Sequence, residues 1–233
     1  MNIKLLSDLH FEFGTEVKKH IKYNGEDVLV LAGDIAVGHR QVLLALDYFL
    51  DLGFPDIVYV PGNHEYYKQS IDYFDKAIQD NAPPHVHFLN PGTVTIKDTV
   101  FTGAALWTNF RNDPLSEMIA RRTVNDFRHI RNFTPQICKD LFYKHWGFIK
   151  NNPADVIVTH FLPSPYAIHG DYANEPTNAY FANDLTQWIY DLDHTTWMFG
   201  HTHRSVNHWI NQTRLLANPY GYQGYGQNPD FYV

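Results

Sequence analysis

Five short stretches of the chain carry metal-ligand side chains beside glycine or at the close of an apolar run. They are Asp8-Leu9-His10, Gly33-Asp34, Gly62-Asn63-His64-Glu65, His160, and Gly200-His201-Thr202-His203. By type they offer imidazole nitrogens and carboxylate or amide oxygens, without sulfur. Such a set suits Mn, Fe, Zn, Ni or Co better than Mg or Ca. Spacing adds to this. In extended chain, residues two apart point the same way, so Asp8 with His10, and His201 with His203, can each chelate one ion or reach two adjacent ones. Asp34 stands alone between the pairs and follows a glycine that lets the backbone turn under an ion, which suits a bridging ligand. Asn63 adds a neutral carbonyl oxygen. Taken singly, each piece has a plainer reading: Pro61-Gly62-Asn63 is good turn chemistry, and Gly-Asp is ordinary turn material. Five of them together do not.

Each stretch closes a β-like run: Ile3 to His10, Asp27 to Asp34, Asp56 to Glu65, Asp155 to His160, and Thr195 to His203. Near-continuous apolarity predicts strands buried on both faces. Leucines at helical spacing predict a helix over Arg40 to Gly53, and a second runs from Gln69 to Asp80 with Ser70 as its cap. Alternation of strand and helix means βαβ units, whose C-terminal strand ends form the ligand-binding crevice. The segments "HVHFLN", "GTVTIKDTVFTGAALW" and "SVNHWINQTRLLANP" read as hairpin strands, with turns at Lys97-Asp98 and at Asn211 to Thr213. The expected fold is α/β, a four-layer α-β-β-α sandwich of two mixed sheets flanked by helices, with a metal site at the C-terminal strand ends. Residues 1–233 read as one domain, with 114–150 a helical lid or rim within it and the tail from Asn218 irregular.

Composition bounds the partners. The 233 residues are 44% hydrophobic with net charge -7. That charge balance opposes a grip on duplex nucleic acid through its phosphates. A single cysteine, Cys138, allows neither a disulfide framework nor a thiolate-rich metal site. Asp8 comes too early for the apolar core of a signal peptide, and no run approaches the roughly 20 apolar residues of a membrane span. The expectation is a cytoplasmic protein with no membrane partner.

The order D-x-H, G-D, G-N-H-E, a lone H and G-H-x-H, from Asp8 to His203, resembles the calcineurin-like metallophosphoesterase superfamily. "LANPYGY", from Leu216 to Tyr222, is similar to the asparagine-proline-glycine segment of many members. Glu65 departs from the aspartate found there in many of them. The resemblance implies two divalent metal ions, Mn first, with Fe, Zn, Ni or Co as alternatives. It implies that Asp8, His10, Asp34 and His203 bind one ion, and that Asp34, Asn63, His160 and His201 bind the other. His64 would stay uncoordinated and act on the substrate, with Glu65 supporting the geometry. The implied reaction is hydrolysis of a phosphate ester by a hydroxide held between ions roughly 3.5–4 Å apart. A phosphodiesterase acting on a small nucleotide-like substrate is expected. The alternatives are a phosphomonoesterase or nuclease with the same centre, or, from another class, a catalytically silent protein-binding scaffold; the filled ligand positions speak against the scaffold.

Substrate contacts are expected from Asn125, Asp126, Arg128 and His129 in "RRTVNDFRHIR", where "NDFRHI" resembles a segment of some bacterial and phage members. A solvated charged helix is the plainer reading of that run. His169 is added on its loop position after His160. Trp107 reads as core. His20, His85, His87, His145, His194 and His208 read as surface or core histidines, as does His39, whose place after Asp34 also offers a substrate contact.

Overall fold

The computed structural model describes residues 1–172, 175–224 and 226–232. Its strands are β1 (Ile3–Leu6), β2 (Val28–Ala32), β3 (Ile57–Val60), β4 (Val86–Phe88), β5 (Gly92–Ile96), β6 (Thr99–Ala104), β7 (Val156–Thr159), β8 (Thr196–Phe199), β9 (Val206–Ile210) and β10 (Thr213–Ala217). The helices are α1 (His39–Asp51), α2 (Ile71–Asn81), α3 (Pro114–Thr123), α4 (Asp126–His129), α5 (Pro135–Asn151), α6 (Asn178–Phe181) and α7 (Thr186–Tyr190). Two sheets form, ordered β1-β2-β3-β4 and β5-β6-β7-β8-β10-β9.

Strand alternation explains the layering. Leu5, Val28, Val30, Val58 and Val60 face the second sheet, where Phe101, Val156, Val158 and Met198 complete one apolar cluster. The intervening Leu29, Leu31, Ile57 and Tyr59 join the other cluster with Val42, Leu46 and Phe49 of α1 and Phe74 and Ile78 of α2. Strands buried on both faces need apolar residues at every position, and β2, Val-Leu-Val-Leu-Ala, is fully buried along its length. Each such valine or leucine contributes about 1.5–3 kcal/mol. α3 and α5 start where local chemistry says they should. Asp113 accepts from the amides of Leu115 and Ser116, Thr134 accepts from Ile137, and a proline follows each cap.

Two details differ from expectation. The first sheet is parallel throughout rather than mixed. "HVHFLN" forms no hairpin: β4 follows α2 and adds to β3 as a parallel edge strand, since a helix between strands returns the chain in the same direction. The hairpins β5–β6 and β9–β10 are present. Their turns carry left-handed Lys97 (φ 51°) and Asn211 (φ 51°). Ser70 sits at the N-terminus of α2, but its side chain accepts no capping hydrogen bond. Trp107 and Phe110 are core residues. No helix among the described residues is long and apolar enough to cross a membrane.

Register aligns the strand ends. Leu6 pairs Leu31, and Ala32 pairs Val60. In the second sheet Ala104 pairs Thr159 and Val158 pairs Met198. The chain leaves β1, β2, β3, β7 and β8 along one edge. Ser7 bridges to Pro219 beyond β10, which ties the two sheets together there.

α5 packs on β6 and buries His145, whose Nδ1 accepts the Leu106 amide at 3.2 Å. Burial, and secondarily Lys144, push its pKa down to about 3 from an ordinary 6.5. The unfolded chain therefore takes up a proton below pH 6.5 that the folded chain refuses until about pH 3. Stability from this group is complete above 6.5 and declines as pH falls through that window. Between pH 7 and pH 5 the loss is about 2 kcal/mol. Urea unfolding at the two pH values should show wild type losing that much more than His145→Gln. Equal losses in the two proteins would contradict it.

Candidate metal centre

The loops beyond the strand ends bring Asp8, His10, Asp34, Asn63, His64 and His160 together in the interior, with His201 and His203 at the margin. The route differs from the extended pairs expected. β1 ends at Leu6 and β8 at Phe199, so both pairs lie beyond the strands. Five of the seven expected ligands are left-handed: Asp8 (φ 51°), His10 (46°), Asp34 (55°), His201 (65°) and His203 (50°). Such backbone costs about 1–3 kcal/mol per residue and persists only where its surroundings hold it. Here Asp8 N–H donates to Gly33 O (2.9 Å), His10 N–H to Asp34 O (3.0 Å) and Phe11 N–H to Ile35 O (2.9 Å). The His201 amide donates to the Asp8 carboxylate at 3.0 Å. Close approach also excludes side chains: a Cβ at Gly62 would lie 2.1 Å from Asp34 Oδ1, and one at Gly33 2.4 Å from His160 Nδ1.

Besides a group formed by His10, Glu12 and His64, two groups of donor atoms result, and these two share Asp34. In one, Asp8, His10, Asp34 and His203 offer atoms within 4.8 Å of one another, and in the other Asp34, His160 and His201 do so. His10 Nε2 is 3.2 Å from His203 Nε2 and 3.8 Å from Asp34 Oδ2. His160 Nε2 is 3.0 Å from His201 Nδ1, 3.1 Å from Asn63 Oδ1 and 3.5 Å from Asp34 Oδ2. Imidazole nitrogens and acid oxygens turned inward on one another are the donor set that divalent transition metals take, so the residues fit two such ions.

The surrounding bonds fix which atoms face in. His160 Nδ1–H donates to Ala32 O at 2.9 Å, which leaves Nε2 as the donor atom towards the cluster. Asn63 Nδ2–H donates to Asp126 Oδ1 at 2.9 Å, which turns its Oδ1 inward. Glu65 accepts from the amides of Asp34, Ile35 and Gly62 at 2.9–3.0 Å and so ties two of the loops together. Glu12 was not anticipated. Its Oε1 accepts from His10 Nδ1 (3.1 Å) and His64 Nδ1 (2.9 Å), joining a donor residue to His64. Asp8, His10 and Glu12 at alternate positions were the available signal.

Charge is balanced within the cluster. Burial would raise the Asp34 carboxyl, but His160, His64 and His10 hold it well below the usual carboxylate range. Burial would lower His160, yet Asp34 and Asp8 raise it to about 10. His64 likewise rises to about 9, Asp34 and the Glu12 hydrogen bond outweighing its burial. His201 is driven well below 6.5 by burial and by His160. Protons on imidazole thus compensate the buried carboxylates, and a divalent cation offers the same compensation while displacing them.

A cleft of about 1080 Å³ opens over the cluster. Among the expected substrate contacts, Asn125, Asp126, His129 and His169 line it. The Asp126 carboxylate is already engaged by Asn63 and by the hydroxyls of Tyr67 and Tyr180. Arg128 does not line the cleft; its guanidinium donates to the Arg122 carbonyl. Of segment 114–150, residues 123–126 and His129 reach the cleft, while α5 packs on β6. His39 bonds Gln69 and stands outside.

Comparison with known proteins bears on the fold and the family. A protein of Acanthamoeba polyphaga mimivirus, described as uncharacterized, is 26% identical over 94% of this chain and 91% of its own length. Among solved structures, the phosphopantetheinyl hydrolase of Mycobacterium tuberculosis superposes with a TM-score of 0.74 over 95% of this chain and 89% of that one. At 17% identity that likeness is one of fold. Residues 1–205 match the family model for calcineurin-like phosphoesterase. The chain belongs to the calcineurin-like phosphoesterase family, hydrolases of phosphoric ester bonds.

Proposed function

We propose that the chain hydrolyses a phosphodiester of a small, nucleotide-like molecule at two divalent cations, Mn in the first instance. Asp8, His10, Asp34 and His203 would hold one ion. Asp34, Asn63, His160 and His201 would hold the other. When bound, such ions polarise the phosphate and make water acidic at neutral pH. The observation that carries the reading is Asp34, 1% exposed and shared between the two groups of donor atoms.

The chain's own residues divide the remaining work. Glu12 fixes His64 through Nδ1, so Nε2 is the atom presented towards the cleft, 3.5 Å from the Tyr222 hydroxyl. Held by Glu12 at Nδ1, His64 delivers a proton from Nε2 to the departing oxygen. Asp126 orients Asn63, and Ala32 O orients His160, before substrate arrives. A diester carries one negative charge and suits a cleft whose described lining holds one lysine, Lys68, and no arginine. A nucleic-acid backbone, with further phosphates lying beyond the cluster, calls for more cations than that. The buried, unpaired Cys138 agrees with a reducing, cytoplasmic setting.

Two measurements test this. Chelated protein given Mn²⁺ should hydrolyse bis-p-nitrophenyl phosphate in preference to p-nitrophenyl phosphate. The reverse preference would point to a phosphomonoesterase, and turnover of neither with metal bound would sink the reading. His64→Ala should keep its metal content, by elemental analysis, and lose about 10²–10⁴-fold in turnover. Near-native turnover in that variant would remove His64 as the acid.

A further inference from the structure

Phe13 is a large apolar side chain left 54% exposed at the mouth of the cleft. Most exposed aromatics are incidental. This one is held in place. Its ring meets Tyr222 edge-on at 5.2 Å and lies 5.9 Å from His10 and 6.3 Å from His64. The loop behind it meets the Tyr222 loop: a Cβ at Gly14 would lie 2.1 Å from Gln223 Oε1, which accepts the Glu16 amide at 3.3 Å. Tyr222 in turn sits 4.5 Å from the His10 ring and 4.6 Å from His203. A continuous aromatic surface therefore runs from the cluster outwards to Phe13.

The lining also includes Leu162, Ile168 and Phe181. Charge tells the same story. Lys68 is the sole lysine or arginine in the described lining, against the carboxylates of Glu12, Asp34, Asp126 and Glu175. A chain of further phosphates beyond the cluster would meet carboxylates and rings, not the guanidinium forks or ammonium groups that bind phosphate. A flat apolar group would find apolar lining and an exposed ring to stack on.

We propose that Phe13 and Tyr222 form an aromatic wall that receives a planar, apolar group esterified to a single phosphate, and that Phe13 sets this preference. The proposal rests on the phosphoesterase reading above and narrows its substrate class. Phe13 acts by binding and takes no part in bond breaking. Its exposure is the cost of a ring reserved for a ligand.

Non-hydrolysable monoanions test it without turnover. Diphenylphosphinate and dimethylphosphinate are titrated by calorimetry into Mn²⁺-loaded protein, into Phe13→Ser and into Phe13→Trp. Wild type should bind the diphenyl compound about tenfold or more tighter than the dimethyl one, in line with the strength of aromatic stacking. Phe13→Ser should lower that ratio to about twofold, and Phe13→Trp should restore it. A ratio near one in wild type, or a ratio that survives in Phe13→Ser, overturns the proposal. Failure of metal-loaded protein to bind either phosphinate would overturn the phosphoesterase reading itself, and this proposal with it.

Discussion

The buried charge of two aspartates governs this structure. Asp8 is 0% and Asp34 1% exposed, and an isolated carboxylate in such a place is costly enough that it would ordinarily take up a proton. Instead both are held ionised by histidines that converge from four loops, one of them Asp8's own. The balance is needed only because the site is buried. It is also what makes the site receptive to cations, since a divalent ion can replace the protons on His160 and supply the compensation more locally. Depth of burial, ligand type and metal affinity are thus one requirement seen from three sides.

Meeting it takes an unusual backbone. Left-handed residues other than glycine are uncommon, and five ligand-type residues adopt that conformation here. The strain is held by hydrogen bonds between neighbouring loops, by the Glu65 carboxylate that gathers three amides, and by glycines at which no Cβ fits. The two sheets provide the rigid base. Their strands are short, but fully buried runs such as β2 and β3 fix where each loop begins. A site built on rigid strand ends and strained loops is organised before any ligand arrives.

Much of this was legible in the residues. Fully buried strands announce themselves by unbroken apolar runs, and the donor residues stand where those runs stop. The layered fold follows from the same pattern. What failed did so for local reasons. The three-residue β4 is too short to reveal its partner, so its parallel pairing came from the preceding helix rather than its own sequence. The histidine pairs converge, but through left-handed backbone that Asp-x-His spacing does not encode. In "NDFRHI", Asp126 lines the cleft and orients Asn63 while Arg128 turns to a carbonyl, a division of roles that residue type does not encode. Glu12 lay in plain view two residues past His10, yet only the folded chain shows that it links His10 to His64.

The central claim is that Asp34 joins two metal sites into one centre. Electron paramagnetic resonance of the protein loaded with two equivalents of Mn²⁺ tests it directly. A shared carboxylate should bring the ions close enough to give the multiline spectrum of an exchange-coupled pair. A simple six-line spectrum from isolated ions, or saturation at one ion per chain, would contradict the account.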